Sequence, residues 1–234
     1  MLHNLFVFLV LSAMNMKRTA SLVIFVFFIF TAAARAQPQP EEDIQSWNDV
    51  QLTLPVGKYV DFNAAITTRL GKNVTRLSDG RFAVGMTLKP IKSFSIQPLF
   101  WFIRARNALS RFRNEHRLNL RLNYRFPFKS FGLSHRSSFE SRMRSPLNSW
   151  RYRPSVTFEK DIPNSWIPKA RFFATEEVFY DSLSKRFSRN RFTLGVNKTL
   201  SKQLSVEVYY MRQNDGLSRP GDLHVLGTSW KIKM

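Results

Sequence analysis

Polar and largely apolar residues alternate with period two along most of this chain, and this pattern limits the possible folds more than any other feature. Within 116–126, apolar residues such as Leu118 and Leu120 occupy even positions, and Arg117 and Arg121 occupy odd ones. A helix would scatter the arginines around its axis, so the pattern predicts a β-strand. Similar alternation recurs in ten further segments: 44–54, 60–70, 81–89, 94–104, 133–143, 151–159, 170–180, 190–199, 204–213 and 224–234.

The predicted strands are about ten residues long, whereas strands of ordinary globular proteins average roughly five or six. Ten residues suffice to cross a bilayer at a tilt. Short turns also alternate with longer polar loops, predicted at 71–80, 105–114, 145–150, 181–190 and 214–222. The predicted fold is therefore all-β: an antiparallel transmembrane β-barrel of about 10–12 long strands, with short periplasmic turns and longer outer loops. A soluble sandwich or barrel with alternating faces is the alternative.

Eleven segments raise a question of parity, since single-chain bacterial barrels have even strand numbers. If Met234 lies in the periplasm, segment 44–54 begins at the outer side, whereas a chain released from a signal peptide begins in the periplasm. Either residues 37–48 thread the lumen, or 44–54 is partly a plug, or one strand is miscounted.

The N-terminus carries the pattern of a bacterial secretory signal peptide. Lys17 and Arg18 precede the apolar run 22–30, and Ala34-Arg35-Ala36 supplies an A-x-A cleavage site. We predict Met16 as the true start and cleavage between Ala36 and Gln37. One long membrane anchor over 2–34 is the alternative, although it would bury both basic residues at about 3 kcal/mol each.

These signals divide the chain into a signal region 1–36, a linker 37–43 and a barrel domain 44–234. Removal of 1–36 leaves 33 basic and 16 acidic residues, a net charge of +17, from the full-chain 36 and 16. An exported basic barrel is expected in the outer membrane and not on nucleic acid. The absence of Cys excludes disulfides, thiolate zinc sites and Cys nucleophiles.

Several stretches resemble a known family. They are 189–200 (RNRFTLGVNKTL), 204–213 with Glu207, Tyr209 and Tyr210, then Leu226-Gly227 and Trp230, and near the start Trp47, Gln51, Pro55 and Arg69. Together they resemble, over roughly 43–234, the exported bacterial family catalogued as domain of unknown function 2490. The resemblance implies an outer-membrane-type β-barrel of unassigned activity and brings no catalytic residues. The chain ends in Met234, whereas outer-membrane barrels usually end in an aromatic residue that the assembly machinery reads.

Arginines are concentrated on the face predicted to line the lumen. The predicted lumen-lining basic residues are Arg117, Arg121, Arg125, Arg136, Arg142, Arg144, Arg151 and Arg153, and the opposing acids are Glu140, Glu159, Glu177 and Glu207. One interpretation is a lattice of interior salt bridges that rigidifies a narrow barrel. The other is an anion-attracting lumen or a site for acidic ligands, because the bases exceed the acids. Loop arginines are expected to meet lipopolysaccharide phosphates at the outer surface: Arg104, Arg106, Arg111, Arg113, Arg186 and Arg189.

His135 and Ser137 give the one catalytic hint, since a His-x-Ser pair on the outer face resembles lipid A deacylase barrels. Such enzymes need a carboxylate to orient the histidine, and the nearest acid, Glu140, falls on the opposite face. We therefore expect a non-enzymatic barrel, structural or a narrow anion-leaning pore, with no metal or cofactor. A lipid-modifying hydrolase and a secreted basic binding protein are the alternatives. The expected partners are outer-membrane lipid and the barrel assembly machinery, and the oligomeric state stays open.

Overall fold

A computed structural model describes residues 42–106, 110–218 and 220–234 of the chain. The predicted signal peptide, the start at Met16 and the cleavage after Ala36 lie outside these residues, as does most of the linker 37–43. Everything that follows concerns the described part.

Eleven β-strands close into a barrel in which each strand pairs with two neighbours. They are β1 Glu42–Val56, β2 Val60–Gly71, β3 Arg76–Ile91, β4 Phe94–Arg106, β5 Phe112–Arg125, β6 Gly132–Met143, β7 Ser149–Asp161, β8 Ala170–Asp181, β9 Arg186–Thr199, β10 Leu204–Asp215 and β11 Asp222–Lys233. The prediction of an all-β barrel with 10–12 long strands is confirmed. Each predicted segment matches one strand, and only 116–126 and 224–234 extend one residue past a strand end. No helix in the described ranges is long and apolar enough to span a membrane.

One junction of the barrel is parallel, which settles the question of strand parity. β1 runs parallel to β11, from Glu42 beside Asp222 to Thr53 beside Lys233. On its other edge β1 pairs antiparallel with β2. Segment 44–54 is therefore a strand of the wall and not a plug, and no strand is miscounted. The expectation of an even number is wrong for this chain, because a single parallel pair lets an odd number of strands close.

The two rims of the barrel have connections of similar length. We call one the C-terminal rim; it holds the connections 57–59, 92–93, 126–131, 162–169 and 200–203, and Met234. The opposite, or far, rim holds the other five connections, of four to six residues. The predicted long loops on one side are not observed, because the strands continue into them. Residues 76–80 and 186–190, for example, belong to β3 and β9. Each stretch has a single large apolar residue, Leu77 or Phe187, so it lacks the repeated alternation that marks the wall.

Polar residues face the inside of the barrel and apolar residues face outward. Leu120 is 41% exposed, whereas its neighbour Asn119 and the inward Ser138 are buried. A soluble barrel would place these side chains the other way round, since it hides its apolar face from water. An interior apolar cluster forms only a local exception among the described residues: Trp47, Met211, Leu223 and Val225, with Tyr209 packed against them.

The side chain of Tyr209 explains a glycine in each of its two neighbouring strands. A Cβ added to Gly227 would lie 2.1 Å from the Tyr209 ring carbon Cζ, and one added to Gly195 would lie 2.7 Å from its Cβ. Both glycines flank Tyr209 in the ladder. The Tyr209 ring thus fills the space of a side chain at Gly227, and Tyr209 Cβ and the Phe173 ring fill that at Gly195, a use of glycine that recurs in curved sheets.

The parallel seam can be tested with cysteines, since the native chain has none. Asn48 faces Thr228 across the seam, and the Thr228 hydroxyl donates to Asn48 Oδ1 at 2.8 Å. We expect Asn48→Cys combined with Thr228→Cys to form a disulfide in the refolded barrel, seen as a mobility shift on non-reducing gels. The control pair Asn48→Cys and Ile232→Cys is displaced by four residues, about 13 Å along the strand, beyond disulfide reach. Cross-linking of the control alone, or of neither pair, would contradict the seam.

Candidate functional site in the barrel lumen

Alternating arginines and carboxylates fill the half of the lumen nearer the far rim. We call eight of them the lattice: Glu115, Arg117, Glu140, Arg142, Arg151, Arg153, Glu177 and Asp181. They come from the inner faces of four consecutive strands, β5 to β8, because residues two apart in a strand share a face. The lattice holds four guanidinium groups and four carboxylates, so its formal charges balance.

Glu140 lies at the centre of the lattice, with its side chain only 1% exposed. It accepts hydrogen bonds from Arg117 Nη1 at 3.2 Å, from Asn119 Nδ2 at 3.1 Å and from Arg153 Nη1. Ser138 in turn donates to the Asn119 amide oxygen at 3.2 Å. Each oxygen of this buried carboxylate therefore has a charged donor, which offsets the cost of removing it from water.

The lattice residues around Glu140 also form charged hydrogen bonds with one another. Glu115 accepts from the Nε and Nη2 atoms of Arg142 at 2.7 and 2.8 Å, and from the same two atoms of Arg117 at 2.9 and 2.6 Å. Glu177 accepts two bonds from Arg153 Nη2, both at 3.0 Å. Arg151 Nε donates to Asp181 at 2.7 Å. The Arg142–Glu115 pair is bidentate, and all of these charge-assisted bonds fix the side chains in geometry as well as in energy.

Two buried aromatic rings pack against the arginines. The Phe179 ring, almost fully buried, lies 4.6 Å from the guanidinium carbon of Arg153 and 4.7 Å from that of Arg191. The Trp47 ring lies 3.4 Å from the guanidinium carbon of Arg69. These cation–π contacts fill the lumen between charged groups. Because Phe179, Glu177, Arg142 and their neighbours are buried, this half is filled with side chains rather than lined as an open channel.

Between the lattice and the C-terminal rim the lumen opens into a polar cavity of about 250 Å³. Its lining contains seven arginines and only two carboxylates. They are Arg69, Arg81, Arg117, Arg121, Arg136, Arg153 and Arg191, with Asp49 and Glu140. Inner-face residues beyond the cavity, such as Asn123 and Thr157, are half-buried. The lumen is therefore more accessible from the C-terminal rim than from the far rim.

The predicted lumen arginines occupy three different settings. Arg117, Arg142, Arg151 and Arg153 belong to the lattice. Arg121 and Arg136 line the cavity, where Arg136 Nη2 donates to Glu177 at 3.2 Å. Arg125 ends β5 at the C-terminal rim, 53% exposed, and pairs with Glu159 at 3.1 Å.

Four of the predicted loop arginines, Arg104, Arg106, Arg113 and Arg186, belong to β4, β5 and β9 and not to outer loops. Arg144 and Arg189 also lie elsewhere than the sequence suggested. Arg144 is not on the strand wall, because β6 ends at Met143 and Arg144 belongs to the connection that follows. Arg189 is not in an outer loop: β9 begins at Arg186, and Arg189 points inward to Asp215, which Arg189 Nε reaches at 2.7 Å. Both differences follow from the strand ends, which the alternation does not locate.

Sequence reasoning missed most of the acids that balance the arginines. Asp79, Asp181 and Asp215 fell in the predicted loops 71–80, 181–190 and 214–222, and Glu115 fell between loop 105–114 and segment 116–126. In the structure Asp79 accepts two 2.8 Å bonds from Arg81. A signal was present: each of these acids lies an even number of residues from an inward residue of its own strand. Following the alternation beyond the apolar segments would have placed them on the inner face.

His135 and Ser137 lie on the outer face of β6 and contact each other. The Nε2 atom of His135 is 3.0 Å from the Ser137 hydroxyl, which is 3.1 Å from the hydroxyl of Tyr152. In the described part of the chain no carboxylate bonds to His135, and Glu140 points into the lumen. The pair is thus in contact without an orienting acid. No group of three His, Cys, Asp or Glu residues suited to a metal occurs in the described ranges.

The lattice predicts that loss of one central carboxylate is costly. We expect Glu140→Gln to lower the free energy of unfolding by about 3–5 kcal/mol, because Arg117 and Arg153 each lose a buried partner. The matched control is Glu159→Gln, whose partner Arg125 is mostly exposed; it should cost at most about 1 kcal/mol. Denaturant titration of the refolded barrel, followed by tryptophan fluorescence, measures both. Equal costs would contradict the central role of Glu140.

Comparison with known proteins agrees with this architecture. The barrel is similar to a solved structure described as the NanC porin, with a TM-score of 0.52 and 8% sequence identity, covering 82% of this chain and 99% of that one. At such low identity the likeness concerns the fold alone. No curated protein matches the chain. A family model matches residues 44–222. The chain therefore belongs to the family described as protein of unknown function DUF2490, as its sequence motifs indicated.

Proposed function

We propose that this protein is a non-enzymatic outer-membrane β-barrel that acts as a narrow, anion-leaning pore. The observation that carries the proposal is the cavity, where seven guanidinium groups face two carboxylates. Fixed positive charge in a narrow passage with low-dielectric walls attracts anions and repels cations. The lattice fills the lumen beyond the cavity, so passage requires these side chains to move, and the described arrangement corresponds to a closed state.

The outer surface supports a place in the membrane. Exposed apolar residues follow all eleven strands, and hydrocarbon accepts such a face where water does not. Aromatic rings cluster towards both ends of the wall. Rings contact one another in a row near the C-terminal rim (Tyr124, Phe126, Phe128, Phe131 and Phe158) and near the far rim (Trp150, Tyr180 and Phe187). Two aromatic girdles that flank an apolar band are typical of outer-membrane barrels. The expected partners are therefore membrane lipids and the barrel assembly machinery.

A lipid-modifying hydrolase is the second candidate, and the contact between His135 and Ser137 is its one support. Acyl transfer by serine needs a base held in the correct tautomer by a third group. Here Ser137 has Tyr152 as its other partner, and the histidine has no carboxylate among the described residues. The arrangement thus favours the pore over the hydrolase.

Membrane insertion predicts a depth-dependent cost for charge on the outer face. Leu120 lies in the middle of β5, whereas Leu54 lies close to the C-terminal rim, and both are exposed. We expect Leu120→Arg to cost about 2–4 kcal/mol in lipid vesicles and Leu54→Arg about 0–1 kcal/mol. Denaturant-induced unfolding in vesicles measures both values. A tolerated arginine at both positions would show that the outer face is not in hydrocarbon.

Ion selectivity tests the pore directly. In planar bilayers under a salt gradient, the wild-type channel should prefer anions, and Arg121→Glu with Arg136→Glu should shift the reversal potential towards cations. The control is Lys58→Glu with Lys129→Glu, the same four-unit change on exposed connections of the same rim. The shift should shrink in molar salt, where the screening length is about 3 Å. Cation preference of the wild type, or no conductance at all, would contradict the pore.

A further inference from the structure

Two cavity arginines are neighbours on the inner wall. Arg121 of β5 stands opposite Ser138 of β6, and Arg136 of β6 stands opposite Asn123 of β5. The two residues are thus diagonal neighbours on the inner face of adjacent strands, close enough for long side chains to contact each other. Both line the cavity on the side that is more accessible from the C-terminal rim.

Arg121 differs from the lattice arginines in its partners. Its one hydrogen bond in the structure joins Nη1 to the amide oxygen of Gln97 at 3.4 Å, and its guanidinium carbon lies 5.8 Å from the Trp101 ring. Within the described ranges no carboxylate lies within ion-pair distance of Arg121. By contrast, Arg117 is shared by Glu115 and Glu140.

Arg136 is only partly satisfied. Its Nη2 atom donates to Glu177, but its Nε atom is buried and has no partner. The Nε atom of Arg69, in the lining of the same cavity, is also buried without a hydrogen bond, although it lies 3.8 Å from Asp79 Oδ1. Removing a cationic donor from water without an acceptor is costly, so these groups favour an acceptor from outside the chain.

The two carboxylates of the cavity do not supply that acceptor. Glu140 is engaged by Arg117, Asn119 and Arg153. Asp49 makes no hydrogen bond or ion pair with Arg121 or Arg136 in the structure. Glu177, which pairs with Arg136, is shared with Arg153 and Arg191, so guanidinium groups outnumber carboxylates around these two arginines. The amide side chains of Gln97 and Asn63 also line the cavity.

We propose that Arg121 and Arg136 form a binding site for the oxyanion group of a small solute, a phosphate or a carboxylate, that enters the cavity from the C-terminal rim. Guanidinium forks match both groups in planar, bidentate geometry. The proposal deepens the proposed pore function, since it names the class of solute held in the lumen. The cavity volume of about 250 Å³ restricts that solute to a small molecule.

Calorimetric titration of the refolded full chain in a non-ionic detergent tests the site, with inorganic phosphate and citrate as separate probes and glycerol as a neutral control. We expect at least one anion to bind and glycerol not to bind. Arg121→Gln should weaken anion binding at least tenfold. The matched control Arg125→Gln removes the same charge at the rim and should change the affinity by less than twofold. Phosphate binding without citrate binding, or the reverse, identifies which oxyanion the site takes.

The variant Arg121→Lys tests whether the site needs the two-bond geometry of a guanidinium group or only its positive charge. It also serves as a second variant in case Arg121→Gln misfolds. It keeps the charge but loses the bidentate geometry, so binding should still weaken while the heat-modifiable gel mobility stays that of the wild type. Equal weakening by Arg121→Gln and Arg125→Gln, or no anion binding by the wild type, would overturn the site. Anion-selective conductance without anion binding would overturn the binding site but support the pore. Anion binding without conductance would overturn the pore but support the binding site.

Discussion

Closure of the backbone ladder is the constraint on which the rest of this structure depends. Every strand has a neighbour on each side, so the wall has no free edge, and successive residues must point alternately inward and outward. This leaves a narrow interior that receives one residue in two from eleven strands. When those residues are charged, they must satisfy one another, and the lattice around Glu140 is the result.

Charge balance divides the interior into two regions. Near the far rim, the arginines and carboxylates of the lattice, from β5 to β8, are matched in number and pair with one another. Nearer the C-terminal rim, Arg121 has no carboxylate within ion-pair distance among the described residues, and Arg136 shares Glu177 with Arg153 and Arg191. The same residue type thus stabilises the wall in one layer and supplies unused positive charge in the next. The distinction depends on the partner across the strand and not on the arginine.

The sequence predicted the barrel well, because alternation is a local property. All eleven strands and the inward direction of Arg117 and Arg121 follow from residues two apart. The partners of these arginines could not be predicted in the same way, since they depend on cross-strand register: Glu140 stands opposite Asn119 on one side and Arg151 on the other. Glu115 and Asp181 were also missed because both lie near strand ends, outside the segments in which the alternation is clear. For the same reason, alternation could not show that eleven strands close through one parallel pair.

That parallel pair has a consequence for how the barrel assembles. Every other junction joins strands that are consecutive in the chain, and a short connection brings the two together. The seam between β1 and β11 joins residues about 180 positions apart, as in the contact of Asn48 with Thr228. Loop-closure entropy opposes such distant pairing until the intervening strands are in place. The strands can therefore pair first at the ten hairpin junctions to form a curved open sheet, and the seam forms last. In the finished barrel it is the one junction where two strands can part without straining a connecting turn.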